Sequence, residues 1–220
     1  MDGKEHEEYW RKRRATYAAA IEYLDRQVYR FIERLLNESD YETTVIITSD
    51  HGENLGSRSD NYLANHKSGL TEALLHVPLS IINPPLGYAS VETEYFSHLE
   101  LGRLVTALAE EETPNVFADR IPAEIIGLSA GPEPSSDREW WDRMLRCAYD
   151  DQTKLVWDSL GGSQSYELDT TRPSWQRSAS NDRAVPQWTG EFFQSEIRQY
   201  KEEAAATHTL LNWQPINNSD

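Results

Sequence analysis

Residues 43–85 read TTVIITSDHGENLGSRSDNYLANHKSGLTEALLHVPLSIINPP, with two short apolar runs on either side of a long polar connection. The β-branched run at 43–48 is bounded by polar residues, which predicts a buried strand. The run at 77–82 is followed by two prolines and predicts a second strand. The connection between them exceeds about twenty residues, and connections of that length in compact domains are usually functional or disordered. We therefore expect function in this connection.

Asp50 and His51 stand where the first strand should end. In open α/β sheets, ligands bind just beyond the carboxyl ends of the strands. A carboxylate offers hard oxygen and negative charge, an imidazole offers neutral nitrogen, and together they suit a divalent cation. Two ligands do not complete a site, because a minimal metal site needs about three or four. A helix cap followed by a turn is therefore the alternative interpretation.

Upstream of this strand, residues 15–38 carry apolar side chains at helical spacing, which predicts an amphipathic helix. A helix that leads directly into a buried strand is half of a βαβ unit. This order predicts a mainly parallel sheet flanked by helices. Helical spacing returns at 101–108, whereas the proline-rich residues 113–139 are typical of a loop and linker.

The C-terminal part of the chain has strand-like composition in two pieces, at 143–157 and at 165–168. The turn-forming residues at 158–162 join them, which predicts a hairpin. Residues 191–206 favour one further helix, and the last dozen residues are typical of a tail.

The chain is strongly acidic, with a formal net charge of −16 over 220 residues. Such a surface repels nucleic acid and anionic membranes, so neither is an expected partner. Lysine is scarce among the 21 basic residues, and excess acid with few lysines indicates adaptation to high salt. A merely acidic mesophilic protein is the alternative. With one cysteine and no apolar run of membrane-spanning length, we expect a cytoplasmic protein without an internal disulfide.

The motif SDHGENLG, followed by HKSGLTEALLHVPL, resembles the sulfatase family of the alkaline phosphatase superfamily. The resemblance implies that Asp50 and His51 are two ligands of a single divalent metal. It places Lys67 where the family has a sulfate-binding basic residue, with His66 as the neighbour that could take this role. It also implies calcium as the ion, although the imidazole makes manganese or zinc acceptable.

The resemblance covers roughly residues 15–170 and implies an alkaline-phosphatase-like α/β fold. Residues 1–125 then correspond to the C-terminal part of the catalytic domain. Residues 126–220 correspond to a small α+β subdomain, with a small C-terminal antiparallel sheet, and a tail.

Sulfatases oxidise a Cys or Ser in a Cys/Ser-x-Pro/Ala-x-Arg motif to their nucleophile, and this chain does not contain that motif. Cys147 is followed by Ala-Tyr-Asp-Asp, so we expect it to be a small buried strand residue. The sequence therefore predicts no catalytic residue in this chain. It predicts a truncated product that is inactive alone.

The resemblance implies a metal-dependent hydrolase of sulfate esters, with a small molecule or a glycan as substrate. One alternative is a phosphatase or phosphonate monoester hydrolase of the same superfamily, because His51 stands where many sulfatases carry Asn. The other is a non-catalytic fragment that acts as the partner of another chain. Association through an exposed sheet edge is expected in that case.

Overall fold

The chain is described by a computed structural model. The described residues are 3–57, 63–66, 69–85, 95–112, 116–117, 121–126, 144–150, 152–158, 163–168, 171 and 176–178. All of them belong to one compact unit, Met1–Ser180, and a second unit comprises Asn181–Asp220. The predicted sulfate contact Lys67 and the predicted helix at 191–206 lie outside the described residues. The division into domains at 125/126 remains a prediction.

The first element is a long helix, α1 (Gly3–Glu38), which contains the predicted helix at 15–38 but begins twelve residues earlier. The polar residues before position 15 lack an apolar stripe, which is why the sequence pattern missed them. They are good helix formers, and Lys12 and Glu8 form an i, i+4 ion pair of 2.8 Å that supports the helix. Trp10, 4% exposed, is a buried anchor for these N-terminal turns.

Trp10 and Arg14 attach α1 to the loop that follows the first strand. A Cβ atom on Gly56 would lie 2.1 Å from Trp10 Cδ2, so the indole packs where only a glycine fits. Gly56 also has a φ of 66°, a conformation that favours glycine. Arg14 donates a hydrogen bond of 3.3 Å to the carbonyl of Leu55.

The two predicted strands are present as β1 (Val45–Thr48) and β4 (Leu79–Ile82). They pair with each other in antiparallel register, from Val45 opposite Ile82 to Thr48 opposite Leu79. Every strand pair that the structure describes is antiparallel, so the predicted mainly parallel sheet is not confirmed. The connection between β1 and β4 reverses the chain, so these two neighbouring strands run in opposite directions.

Strand β1 is half-buried along its whole length, not fully buried as predicted. Helix α3 (Leu101–Ala109) covers one face of the β1–β4 pair and confirms the helix predicted at 101–108. The 3₁₀ turn His98–Glu100 precedes α3, and Ser97 Oγ caps it by accepting a hydrogen bond of 3.3 Å from the Leu99 amide. The resulting core contains Leu104, Leu108 and Val116, with Ile46, Leu79, Ile81, Phe96 and Leu101 packed against it.

The connection between β1 and β4 contains three short elements. They are β2 (Asn54–Leu55), β3 (Ala64–Asn65) and α2 (Glu72–Leu75). Strands β2 and β3 pair with each other, antiparallel. The long connection is therefore structured over much of its described length.

A five-stranded antiparallel sheet follows and confirms the small C-terminal antiparallel sheet. Its strands lie side by side in chain order: β5 (Pro122–Ile126), β6 (Met144–Asp150), β7 (Thr153–Asp158), β8 (Ser163–Leu168) and β9 (Gln176–Ser178). One face of the sheet buries Leu145, Cys147, Tyr149, Val156 and Tyr166 together with Leu70 from the connection. The sheet thus packs on the segment that leads from the candidate site to β4.

Two features of this sheet differ from the sequence prediction. Residues 143–157 form two strands instead of one piece, because the chain reverses so that Asp150 pairs with Thr153. Strand β5 lies inside the stretch predicted to be a linker. Pro122 begins this strand, which is at the edge of the sheet, a position where a missing amide proton is tolerated.

Candidate functional site

Asp50 and His51 lie just beyond the carboxyl end of β1, as the sequence predicts. The Asp50 side chain is 87% exposed and the His51 ring is 46% exposed, so both reach solvent. Asp50 Oδ1 accepts a hydrogen bond of 2.9 Å from the His51 amide. Ser49 Oγ donates a bond of 2.7 Å to the His51 carbonyl. These two bonds hold the turn, and neither of them uses Asp50 Oδ2.

The His51 ring has a defined tautomer because its Nδ1 atom lies 2.7 Å from the carbonyl oxygen of Gly52. A carbonyl oxygen can only accept, so Nδ1 carries the proton. Whenever the ring is neutral, its lone pair is therefore at Nε2. This atom lies 3.7 Å from Asp50 Oδ2. Metal-bound histidines are usually oriented in this way by a hydrogen bond from the second ring nitrogen.

Gly52 places the loop directly against α2. Its amide donates a bond of 2.8 Å to the carbonyl of Leu74. A Cβ atom on Gly52 would lie 2.0 Å from the carbonyl oxygen of Ala73, which is far inside contact distance. A glycine is required here by close approach of two backbones, and the position of Asp50 and His51 is thereby tied to α2.

His66 directly follows β3 and lies beside His51. Its Nδ1 atom lies 3.0 Å from Glu53 Oε2, so the ring donates to this carboxylate. The His66 ring stacks on the His51 ring, with centroids 4.5 Å apart and an interplanar angle of 27°. His66 therefore contacts His51, one of the two predicted metal ligands. Its predicted partner Lys67 is outside the described residues.

His98 has a structural contact near the same end of β1. Its Nε2 atom lies 3.0 Å from Thr48 Oγ1, which joins the turn before α3 to the last residue of the strand. This contact gives His98 a structural role at the end of the strand.

The structure brings three of the four predicted site residues together: Asp50, His51 and His66. Lys67 is outside the described residues, and its predicted sulfate contact stays a prediction. Within the described part of the chain, no group of three or more His, Cys, Asp or Glu side chains is arranged to hold a metal ion. Asp50 and His51 can supply two donor atoms to one side of a cation. The bond from His51 Nδ1 to the Gly52 carbonyl gives the ring the tautomer that suits this role.

Sequence reasoning missed the residues that support these side chains. Glu53 holds His66, and Thr71 Oγ1 donates a bond of 2.6 Å to Oδ1 of the buried Asn54. An acidic residue and an amide just after the Asp-His-Gly motif were the available signals. Because this chain is rich in acidic residues, the carboxylate alone was not distinctive.

A second group of polar side chains is buried between the connection and the five-stranded sheet. Lys154 on β7 is 0% exposed and forms an ion pair of 2.7 Å with Glu72 Oε1. Tyr149 donates a bond of 2.6 Å to the same oxygen. Burial, and then the nearby Glu72 carboxylate, raise the pKa of the Tyr149 hydroxyl well above its ordinary value. Burial also raises the pKa of Cys147 to about 12.

Part of this chain is similar to known sulfatases. The Sulfatase family model matches residues 2–110, which contain Asp50, His51 and His66. The chain is 29% identical over 157 residues to "Uncharacterized sulfatase YidJ" of Escherichia coli (strain K12), a match that covers 69% of this chain and 31% of that protein.

Among solved structures, the chain is similar to a candidate sulfatase from Bacteroides thetaiotaomicron VPI-5482. The TM-score is 0.48 at 14% identity, over 75% of this chain and 36% of that one. The chain therefore spans about a third of the length of these relatives.

The Sulfatase family model covers residues 2–110, and the resemblance to the sulfatase family of the alkaline phosphatase superfamily predicted from the sequence is confirmed. Within the described residues, no helix is both long enough and apolar enough to cross a membrane.

Proposed function

We propose that this chain supplies Asp50 and His51 as two ligands of the divalent-cation centre of a sulfate-ester hydrolase. The observation that supports this most directly is the bond from His51 Nδ1 to the Gly52 carbonyl, which leaves Nε2 beside Asp50 Oδ2. Calcium is the ion we expect first, and manganese or zinc would suit the imidazole. When bound, the ion polarises an oxygen of the ester group.

The basic residues have a separate role in this proposal. His66 lies against His51 and would contact the negative charge that develops on the transferred group. Lys67 follows it in the chain and would share this role. Glu53, which accepts from His66 Nδ1, would hold the ring, and in its protonated form the ring would donate from Nε2 to the substrate.

The metal component of the proposal is tested by titration of calcium, manganese and zinc into the chain, followed by NMR of the residues around Asp50. We expect weak binding that Asp50→Asn reduces further, because two ligands displace little of an ion's water. Asp40→Asn is the matched control, since Asp40 is an exposed carboxylate outside the site. Equal effects of the two substitutions would show that binding is nonspecific charge attraction.

The reaction class is tested by turnover of an aryl sulfate and an aryl phosphate in parallel. This chain lacks a Cys/Ser-x-Pro/Ala-x-Arg motif, so we propose that it is inactive alone. Sulfate turnover by the chain itself would overturn that element of the proposal. Preferential turnover of the phosphate would favour the phosphatase alternative, for which His51 is the supporting residue.

A partner is proposed from the two-stranded sheet. In the described residues, β1 and β4 pair only with each other, so each has an outer edge without a strand. Such edges are sites of strand addition by another chain. We propose association through this sheet edge, and sedimentation of the purified chain tests it. Ser80→Lys, on the exposed side of β4, should reduce association, whereas Gln152→Lys, in the exposed turn after β6, should leave it unchanged.

A further inference from the structure

The buried cation Lys154 is far from Asp50 and His51 in sequence. It nevertheless bonds to residues 70–72, in the segment that contacts the loop carrying Asp50 and His51. Its Nζ atom donates to the Leu70 carbonyl at 2.7 Å and to Glu72 Oε1 at 2.7 Å. It also donates to Gln176 Oε1 on β9. A lysine ammonium has three hydrogens, so all three are used.

The bonded segment continues directly to the candidate site. Glu72 is the first residue of α2, and two residues later the Leu74 carbonyl accepts the amide of Gly52 at 2.8 Å. Thr71, beside Glu72, holds Asn54 by a buried hydrogen bond of 2.6 Å. Residues 70–74 therefore contact the sheet through one set of bonds and the loop after β1 through another.

The chemistry of the pair indicates a role beyond cohesion. Buried ion pairs contribute little net stability compared with apolar side chains of similar volume, because both charges lose their hydration. Apolar packing, as between Leu70 and the sheet, holds two elements together without fixing their register. Three directional bonds to one ammonium do fix it, and here they fix α2 against β7 and β9.

We propose that Lys154 is a positioning residue, whose buried bonds to Glu72 and Leu70 register α2 on the sheet and so set where Gly52 places Asp50 and His51. This inference rests on the proposed function only in one respect, namely that the loop with Asp50 and His51 binds a cation. Removing the ammonium leaves Glu72 buried without its cation, so α2 shifts and the Gly52–Leu74 bond opens.

The test is amide hydrogen exchange of the whole chain, read residue by residue by NMR. In Lys154→Met, the Gly52 amide should exchange at least about tenfold faster relative to the amides of β7 and β8, since local opening becomes easier than global unfolding. The matched control is Arg146→Met. Arg146 is also a buried cation of this sheet, and its Nε and Nη2 atoms donate to Glu124 on β5 at 2.9 and 2.8 Å.

The control separates positioning from general stability. Arg146→Met should accelerate Gly52 and the sheet amides by the same factor, because it acts only through global unfolding. If Lys154→Met also changes all amides by one factor, or leaves Gly52 unchanged, the proposal is wrong. If Lys154→Met does not fold, Lys154→Met with Glu72→Leu replaces the whole pair by apolar groups, and the same comparison applies.

A measurement on the unchanged protein decides the matter if both variants fail to fold. In native-state exchange at increasing denaturant, the Gly52 amide should open with the same free energy as the amides of β7. Opening of Gly52 at much lower free energy, with β7 still protected, would overturn the proposal.

Calcium titration of the folded variants separates this inference from the proposed function. Lys154→Met should weaken calcium binding at Asp50 by roughly tenfold more than Arg146→Met does, because the ligands lose their fixed position. Equal weakening in the two variants would contradict the positioning role. If the unchanged protein binds no calcium, the proposed metal centre is wrong, while the exchange result still decides the role of Lys154.

Discussion

Single atoms decide how closely the loop after β1 approaches α2. Gly52 has no side chain, and its amide bonds to the Leu74 carbonyl while the Ala73 carbonyl occupies the space of a Cβ atom. A glycine can be required either by its backbone conformation or by lack of space for a side chain. The structure shows that the requirement is space between two backbones, since Gly56 is the described glycine with positive φ.

Gly52→Ala should lower the free energy of unfolding by about 1–3 kcal/mol, because the methyl group meets backbone that has no free rotamer. Gly102→Ala is the control. No atom lies within 4 Å of a Cβ atom there, and Gly102 is in helix α3, so this variant should gain about 0.5–1 kcal/mol. Urea denaturation measures both. An unchanged free energy of unfolding in Gly52→Ala would show that the loop after β1 moves away from α2 without losing stability.

Cys147 gives a residue-scale prediction with a defined pH range. Its pKa is raised to about 12 by burial, so the folded state favours the protonated thiol. The unfolded chain loses this proton first, at an ordinary thiol pKa of about 8.5. The stability that this group contributes is therefore complete below that pH and is lost as the pH rises toward 12.

The unfolding free energy should accordingly fall more steeply above about pH 9 in the natural protein than in Cys147→Ala. Denaturation in urea at a series of pH values measures this. The pKa of Tyr149 is raised by burial, by Glu72 and also by Cys147, so the difference between the two curves reports the thiol together with its effect on Tyr149. Identical slopes would mean that the thiol is accessible to solvent.

Among the elements, α1 is unusual because, in the described part of the chain, most of its length is exposed. Trp10 and Ile32 are its buried apolar residues, whereas a stripe of large apolar side chains is exposed. That stripe consists of Tyr17, Ile21, Leu24 and Phe31. The sequence predicted an amphipathic helix with a buried face. Of the apolar residues named here, Trp10 and Ile32 are buried and the stripe between them is exposed.

Leu24→Gln should change the unfolding free energy by less than about 0.5 kcal/mol, since the side chain is 55% exposed. Trp10→Ala should cost about 3–5 kcal/mol, because it removes the indole that packs on Gly56. Thermal or urea denaturation at low protein concentration compares them. A large loss in Leu24→Gln would indicate that another surface covers the stripe in solution.

At the scale of the whole molecule, the net charge of −16 is the dominant feature. Ion pairs at the surface of α1, such as Lys12–Glu8, do not change it, because each joins one of the 21 basic residues to one of the 37 acidic residues. Repulsion between the remaining carboxylates opposes the folded state and is screened by salt within about 10 Å at 0.1 M.

The unfolding free energy should therefore rise as sodium chloride increases from about 0.1 M to 2 M, as the screening length shortens. An uncharged osmolyte at equal osmolality is the control, because it acts by exclusion from the surface and does not screen charge. If salt and osmolyte act equally, adaptation to high salt is not supported by the charge of the chain.

The sequence by itself determined that Asp50 and His51 stand together at the end of a strand, and where the main strands fall. Asp50 and His51 follow β1 because a β-branched run ends there, and apolar periodicity located α3. Local patterns carry this information because side-chain spacing and turn residues act over a few positions.

Only the tertiary structure decided strand direction, the contact between His66 and His51, and the buried Lys154–Glu72 pair. These features join residues that are distant in the chain, and their free energy depends on desolvation and on the partner that burial supplies. A lysine in a strand-forming stretch has the same local pattern whether it faces water or Glu72. Its role follows from the segment that packs over it, which no local spacing of residues specifies.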